Sequence, residues 1–293
     1  MKTSAKTSMK TSIRFFRDRE VRAVWADDQW YFSIVDIVSA ITDSPRPRVY
    51  WGTLKSRLKT QGNELYSKCI QLKLMSADGK KYATDCLAIS DIAELVKYIP
   101  SKSAANFLDW FTYSDNTIDG RSKKKAYTLF ESDLIDEIAV GTIKGLQQIH
   151  AYLFGGLYDF AGKIRQKNIS KNGFQFAMAQ YLDSALKTIE KMAETSFDEI
   201  ADKYVEMNVA HPFMEGNGRT TRIWLDLILK KRLKLCVDWS KINKNEYLSA
   251  MQISVSDSTD IKRLLQGALT DKINDRDMFM KGIDYSYYYE ENE

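Results

Sequence analysis

Apolar and polar positions change their period along the chain. Val21, Ala23 and Trp25 alternate with Arg22 and Val24, and Trp30-Tyr31-Phe32 follows the polar pair Asp27-Asp28, which predicts a β-hairpin. Ser33 heads a run with apolar residues at Ile34, Ile37, Val38 and Ile41, and Asp36 stands where a capping box needs an acid. Two prolines mark a turn over 44–48, and a second helix is expected over 49–58. Short strands around 71–74 and 82–84 bracket the turn Asp78-Gly79, and Pro100 separates helices that begin near Ser90 and Ser101. Residues 113–130 include Ser, Asp, Asn, Gly and the run Arg121-Ser122-Lys123-Lys124-Lys125, the composition of a linker. Beyond it the period lengthens. Ile143, Leu146, Ile149 and Leu153 share one helical face, as do Tyr181, Leu182, Ala185, Leu186 and Ile189. The polar, glycine-bounded stretch 162–174 interrupts these helices and reads as an inserted β-hairpin.

The expected architecture is multidomain. A small α/β (α+β) domain covers 13–112, a linker 113–130, an all-α domain with an inserted hairpin 131–284, and a C-terminal segment 285–293. Residues 1–12 contain Lys-Thr-Ser three times and are expected as a disordered tail.

Composition narrows this picture. With 293 residues and 44% hydrophobic content the chain can bury a sizeable core. No uncharged apolar run reaches the ~18 residues of a membrane helix, and no secretory signal is visible, so a soluble cytoplasmic protein is expected. The three cysteines, Cys69, Cys86 and Cys236, are scattered and read as small buried side chains in a reducing compartment. Only two histidines are present, His150 and His211, which makes a zinc site improbable. Charge is uneven. The first 125 residues carry +8 and the remainder −4. A basic front half suits a polyanion such as DNA, and equally an ordinary solvated surface.

The chemistry concentrates over 211–222. Gly216, Asn217 and Gly218 can turn successive N–H groups to one side, and a helix follows from Thr220. A nest that opens a helix is an anion site. Arg219 and Arg222 lie one turn apart and can reach one polyphosphate. Glu215 can hold Mg²⁺ together with phosphate oxygens. His211 stands at the mouth, where a neutral imidazole could take a proton from a hydroxyl.

This stretch, His-Pro-Phe-Met-Glu-Gly-Asn-Gly-Arg-Thr-Thr-Arg, resembles the Fic family signature HxFx(D/E)GNGRxxR at every specified position. The resemblance implies an adenylyltransferase that moves AMP from ATP to a Ser, Thr or Tyr hydroxyl of a target protein. In it His211 is the base, Glu215 the Mg²⁺ ligand, and Gly216, Asn217 and Gly218 the phosphate cradle. Arg219 binds phosphate and Arg222 the γ-phosphate. Residues 153–165 resemble the segment before the family's flap. The flap itself, with Ile164, Lys167, Asn168, Ile169 and Ser170, would pair with the target as an added strand. The end of the chain resembles the family's inhibitory helix, (S/T)xxxE(G/N), with Ser286 and Glu290 in the fixed places. Glu290 would then pair with Arg222 and displace the γ-phosphate. Glu291 stands where Gly or Asn is usual, and an alternative register would use Glu291 itself. Tyr285, Tyr287, Tyr288 and Tyr289 are the nearest candidates for self-modification.

Residues 30–45, 50–58, 71–80 and 99–110 resemble the Bro-N domain of phage antirepressors. That resemblance implies DNA binding, with Arg46, Arg48, Lys55, Arg57 and Lys59 as candidate phosphate contacts; docking to a protein is the competing role. Two other functions compete with AMP transfer: moving another phosphate-linked group, and a DNA-binding regulator whose second domain only senses nucleotide.

Overall fold

The period-two segments fold as strands. In the computed structural model, which describes residues 10–42, 44–76, 78–171 and 173–290, β1 (Thr11–Phe16), β2 (Arg19–Ala26) and β3 (Gln29–Ser33) form a meander. Asp27 and Asp28 both take positive φ, 46° and 57°, the turn whose twist matches paired strands. Trp25 therefore stands opposite Trp30. Helices α1 (Ile34–Thr42), α2 (Pro47–Thr60) and α3 (Glu64–Ser67) follow, then the hairpin of β4 (Ile70–Met75) and β5 (Lys81–Ala88), then α4 (Ile92–Lys97) and α5 (Ala104–Tyr113). The antiparallel sheet has the order β1-β2-β3-β5-β4.

Alternation decides which residues enter the core. Val21, Ala23 and Phe32 join Ile37, Ile41, Leu87 and Phe107 in the main cluster, while Val24, Tyr31, Leu74 and Cys86 form a smaller one. Ser33 caps α1 by accepting the Asp36 N–H at 3.3 Å. The Asp36 carboxylate does not complete a capping box. It accepts instead from the N–H and guanidinium of Arg22 at 3.0 and 2.7 Å, tying the helix to the sheet.

The chain divides into two compact units between Thr117 and Ile118. The second comprises α6 (Ile118–Glu131), α7 (Ile143–Phe154), β6 (Ser170–Lys171), β7 (Phe174–Gln175), α8 (Ala179–Glu190), α9 (Phe197–Ala210), α10 (Asn217–Leu233), β8 (Cys236–Val237), α11 (Lys244–Ile253), α12 (Thr259–Gly267), β9 (Leu269–Thr270) and α13 (Arg276–Tyr288). Helix α10 is buried along most of its length, polar as well as apolar residues included, and runs through the core, packed on α7, α9 and α13. Trp224, Ile228 and Leu229 along it are wholly buried. The start of α9 is a full capping box between Ser196 and Glu199.

Two further departures from the sequence reading concern segment bounds. Thr11 and Ser12, expected in a disordered tail, pair with Val24 and Ala23 in the sheet; residues 1–9 of that tail lie outside the described residues. The expected linker over 113–130 is largely the helix α6. Ser122, Ala126 and Leu129 recur at helical spacing and are buried, while the lysine run between them masks that stripe. Cys86 and Cys236 are buried free thiols, pushed up by burial to about 12. Among the described residues no helix is long and apolar enough to cross a membrane.

Candidate active site

His211 ends α9 in the left-handed conformation, φ 48°, with its N–H bonded to the Met207 carbonyl at 3.0 Å. A non-glycine residue there is uncommon and re-aims its side chain away from the helix. Nδ1 lies 3.3 Å from the Asn208 carbonyl. A carbonyl only accepts, so the proton is assigned to Nδ1 and the lone pair to Nε2. The ring stacks on Phe176, with centroids 3.7 Å apart. Burial lowers its pKa to about 4, helped by Lys171 and Arg165 and opposed by the Asn208 carbonyl and Glu290. The imidazole is therefore neutral near pH 7.

Three side chains set the loop that follows. Asn217 accepts the Phe213 N–H and donates to the Phe213 carbonyl, each at 2.8 Å. This reciprocal pair folds the loop back on itself. Phe213 is buried and stacks on His150, with centroids 3.8 Å apart. His150 donates from Nε2 to the Glu215 carbonyl at 2.9 Å and accepts the Gly162 N–H at Nδ1 at 2.8 Å. Burial lowers the His150 pKa to about 4. Gly216 takes φ 79°, and a Cβ there would collide with the Phe154 ring. The first rung of α10 is Thr220 N–H to the Gly216 carbonyl, 3.1 Å. The N–H groups of Asn217, Gly218 and Arg219 precede that rung and lie outside the helical ladder, at the positive end of the helix.

Both arginines are buried. Arg219 pairs with Asp119 of α6 and, at 3.0 Å, with Glu215, and its guanidinium lies over the Phe154 and Tyr287 rings. Arg222 donates from Nε to Ser286 Oγ at 2.7 Å and from Nη2 to the Ser286 carbonyl at 2.8 Å and to the Glu290 carboxylate. Burial alone would lower the Arg222 pKa, but Glu290, Tyr247 and Tyr204 together outweigh it and raise it. Burial would likewise raise Glu290, and Arg222 with Arg219 holds it below the usual carboxylate range. A Cβ on Gly218 would collide with Glu290 Oε1, so the carboxylate sits directly over the loop. Ser286 and Glu290 thus meet Arg222 together; Glu291 lies outside the described residues.

Two expected acceptor hydroxyls are not presented in this arrangement. Tyr287 is buried with its hydroxyl bonded to Ser122, and Tyr289 is buried with its hydroxyl 2.7 and 2.8 Å from the carbonyls of Trp239 and Ile242. The helix places both rings in the core, whereas Tyr285 and Tyr288 are half-buried.

His211, Glu215, Gly218, Arg219, Arg222 and Glu290 line one cavity of about 740 Å³, the size of a small-molecule site. Tyr247, Leu248 and Met251 of α11 form one wall, and Ile169, Ser170 and Phe176 of the hairpin segment another. The expected hairpin exists, reduced to Ser170 opposite Gln175 and Lys171 opposite Phe174. Of its predicted docking residues, Lys167 and Ser170 are exposed and Ile169 is half-buried. Ile164 instead packs on the core, and Asn168 accepts the Ala179 N–H at 2.8 Å, capping α8.

In the first unit, Arg46, Arg48, Arg57 and Lys59 are exposed on or beside α2, while Lys55 pairs with Asp85 at 2.6 Å. The sequence reading missed Asp119, His150, Arg165 and Tyr247. The scarcity of histidine was the one signal that could have singled out His150.

Residues 141–229 match the profile of the Fic/DOC family, so the second unit carries a Fic/DOC family domain. Over 133 residues the chain is 32% identical to the protein adenylyltransferase VbhT of Bartonella schoenbuchensis, covering 41% of this chain and 27% of that one. Over 120 residues it is 29% identical to the probable protein adenylyltransferase y4lH of Sinorhizobium fredii, covering 37% and 62%. The chain therefore spans less than two thirds of either relative. The N-terminal FIC domain of Bep8 protein from Bartonella sp. 1-1C aligns over 54% of this chain and 85% of that one, with 16% identity and a TM-score of 0.47.

Proposed function

We propose, with the Fic/DOC domain as premise, that the second unit transfers AMP from ATP to a Ser, Thr or Tyr hydroxyl of a target protein. The observation that carries this is the convergence of a neutral base, a helix-opening anion nest and two buried arginines on one cavity. His211 Nε2 takes the proton of the acceptor hydroxyl, and that oxygen attacks the α-phosphorus. The bond from the α-phosphorus to its bridging oxygen breaks, pyrophosphate leaves, and the acceptor becomes an AMP ester. The N–H groups of Asn217, Gly218 and Arg219 hold phosphate oxygens and stabilise the developing charge.

Glu215 is exposed at the cavity mouth, and among the described residues no group of three or more ligating side chains could hold a metal by itself. That donor set fits Mg²⁺ completed by phosphate oxygens and water, which would supply positive charge to the leaving pyrophosphate. Glu290 restrains the reaction by occupying the Arg222 guanidinium that the γ-phosphate needs.

The test is incubation of the Glu290→Gly protein with ATP labelled at the α- or the γ-phosphate. Protein should take label from the α-position only, and His211→Ala should abolish it. Label from the γ-position would mean phosphate transfer instead.

For the first unit we infer DNA contact, supported by the exposed Arg46, Arg48, Arg57 and Lys59. The 293-residue chain should bind duplex DNA weakly at about 50 mM salt and release it as salt rises. Binding unchanged in Arg46→Ala/Arg48→Ala would remove this surface from consideration.

A further inference from the structure

Arg165 lies between α7 and β6 and is buried, 3% exposed. Its guanidinium donates to four backbone carbonyls: Nε to His211 at 2.7 Å, Nη1 to Lys167 at 2.7 Å, and Nη2 to Ala210 at 3.0 Å and Ala177 at 2.5 Å. Its own N–H donates to the Pro212 carbonyl at 2.9 Å. Ala210 and His211 close α9, where carbonyls lack intrahelical partners and the helix dipole is negative. Lys167 and Ala177 flank the hairpin, one on each side.

A buried cation held by carbonyls alone is an expensive way to fill a core. Burial is the sole cause acting on the Arg165 pKa, and it lowers it. What the arrangement achieves is a fixed distance between the hairpin and the residue that carries the base. Two further contacts follow the same line. Ala177 N–H donates to the Val209 carbonyl at 3.2 Å, and Phe176 stacks on the His211 ring.

We propose that Arg165 is a positioning residue, whose planar fork locks both legs of the hairpin to the end of α9 so that a hydroxyl presented along the hairpin arrives at His211 Nε2. The inference rests on the transferase reading of the same site. Lysine cannot reproduce it, because an ammonium offers a point charge and not a fork. A misplacement of about 1 Å can lower a rate about 10²-fold.

The experiment uses the full chain with Glu290→Gly, alone and combined with Arg165→Lys or Arg165→Gln. Three quantities are read: AMP transfer to protein in lysate, the Kd for ATP by calorimetry, and the imidazole proton resonances of the two histidines. Transfer should fall about 10²-fold in both variants. The Kd for ATP should hold, because the nest and both phosphate-binding arginines are untouched. The His211 resonance should move and the His150 resonance should stay. Parental transfer with an unmoved His211 resonance overturns the proposal. So does a parallel loss of ATP affinity with both resonances displaced, which marks general loosening. If Glu290→Gly transfers no AMP from the start, the transferase reading fails separately, and the His211 resonance still decides whether Arg165 holds the base. Thermal melts identify a variant that does not fold, and either substitution alone carries the test.

Discussion

His150 and His211 have the same lowered pKa, about 4, for one physical cause, burial. Their consequences differ. His211 must be neutral to act, so the transfer rate should be level through neutrality and fall as pH drops through about 4. A pH–rate profile of the Glu290→Gly protein checks this; a fall with its midpoint near pH 6.5 would mean the base titrates normally. His150 acts on stability. Its ordinary value is 6.5 and its folded value about 4, so the unfolded chain binds the proton first as pH falls. Its contribution is complete above the unfolded pKa and is lost as pH falls toward 4. Between pH 7 and 5 this loss is about 2 kcal/mol. Unfolding free energies from urea titrations at the two pH values should separate by that much more in the parent than in His150→Gln. At this scale the candidate site was legible where it is built from neighbours in sequence, as in His211, Glu215, Arg219 and Arg222, which line one cavity. The sequence was silent on His150 and Arg165, whose partners are backbone groups, several of them more than forty residues away along the chain. No side-chain pattern announces an acceptor that every residue carries.

Among the elements, α13 is the one whose release should change activity most. Removing one partner of a buried pair typically costs about 3–5 kcal/mol, and each tenfold of repression needs only about 1.4 kcal/mol. Glu290→Gly should therefore raise AMP transfer at least tenfold, at roughly the energy of one such step. Ser286→Ala should raise it less, because the Ser286 carbonyl still accepts from Arg222 at 2.8 Å. Unchanged rates in both would mean that α13 does not restrain the site. The same helix is held along α6, where Asp284 meets Lys123 at 2.7 Å and the Tyr127 hydroxyl. Asp284→Asn should activate partially and lower the Tm; activation equal to that of Glu290→Gly would show the tether matters as much as the plug. The role of α6 was hidden in the sequence. Its buried positions, Ser122, Ala126 and Leu129, include only one large apolar residue, and polar or charged residues stand between them. Strand β2 and helix α10 were easier to read, because Val21 and Ala23, and Ile223 and Leu227, are buried apolar residues at the spacing of their element.

On the scale of the whole molecule the chain is two units of different construction, a sheet with helices and a helical domain. That division was visible in the change of hydrophobic period, although its position was displaced. The boundary falls at Thr117, not after 130, since composition marks where charge collects and packing decides which unit owns a helix. By unit the charge contrast is smaller than the first 125 residues suggest, +5 over residues 1–117 against −1 over 118–293, because Arg121, Lys123, Lys124 and Lys125 belong to the second unit. Cutting that contrast by Arg46→Ala/Arg48→Ala should weaken DNA retention and shallow its salt dependence, with AMP transfer by the Glu290→Gly protein unaltered. Loss of transfer in that variant would mean that the two units are not chemically separate.

The reciprocal clip between Asn217 and Phe213 also governs how this protein ages. An Asn-Gly pair is especially prone to deamidation, because the glycine nitrogen can attack the side-chain carbonyl carbon and close a succinimide. Here the Asn217 amide is turned back onto Phe213 by two bonds of 2.8 Å, and Gly218 lies in the first turn of α10. Closure of the ring would need both bonds broken and the helix start unwound. Prolonged warming of the folded protein should leave Asn217 intact in a peptide map, whereas the urea-unfolded chain should convert it to Asp and isoaspartate. Equal conversion in the two samples would mean that the clip opens readily. An Asp at this position could no longer donate to the Phe213 carbonyl, so the active loop would carry its own record of each past unfolding.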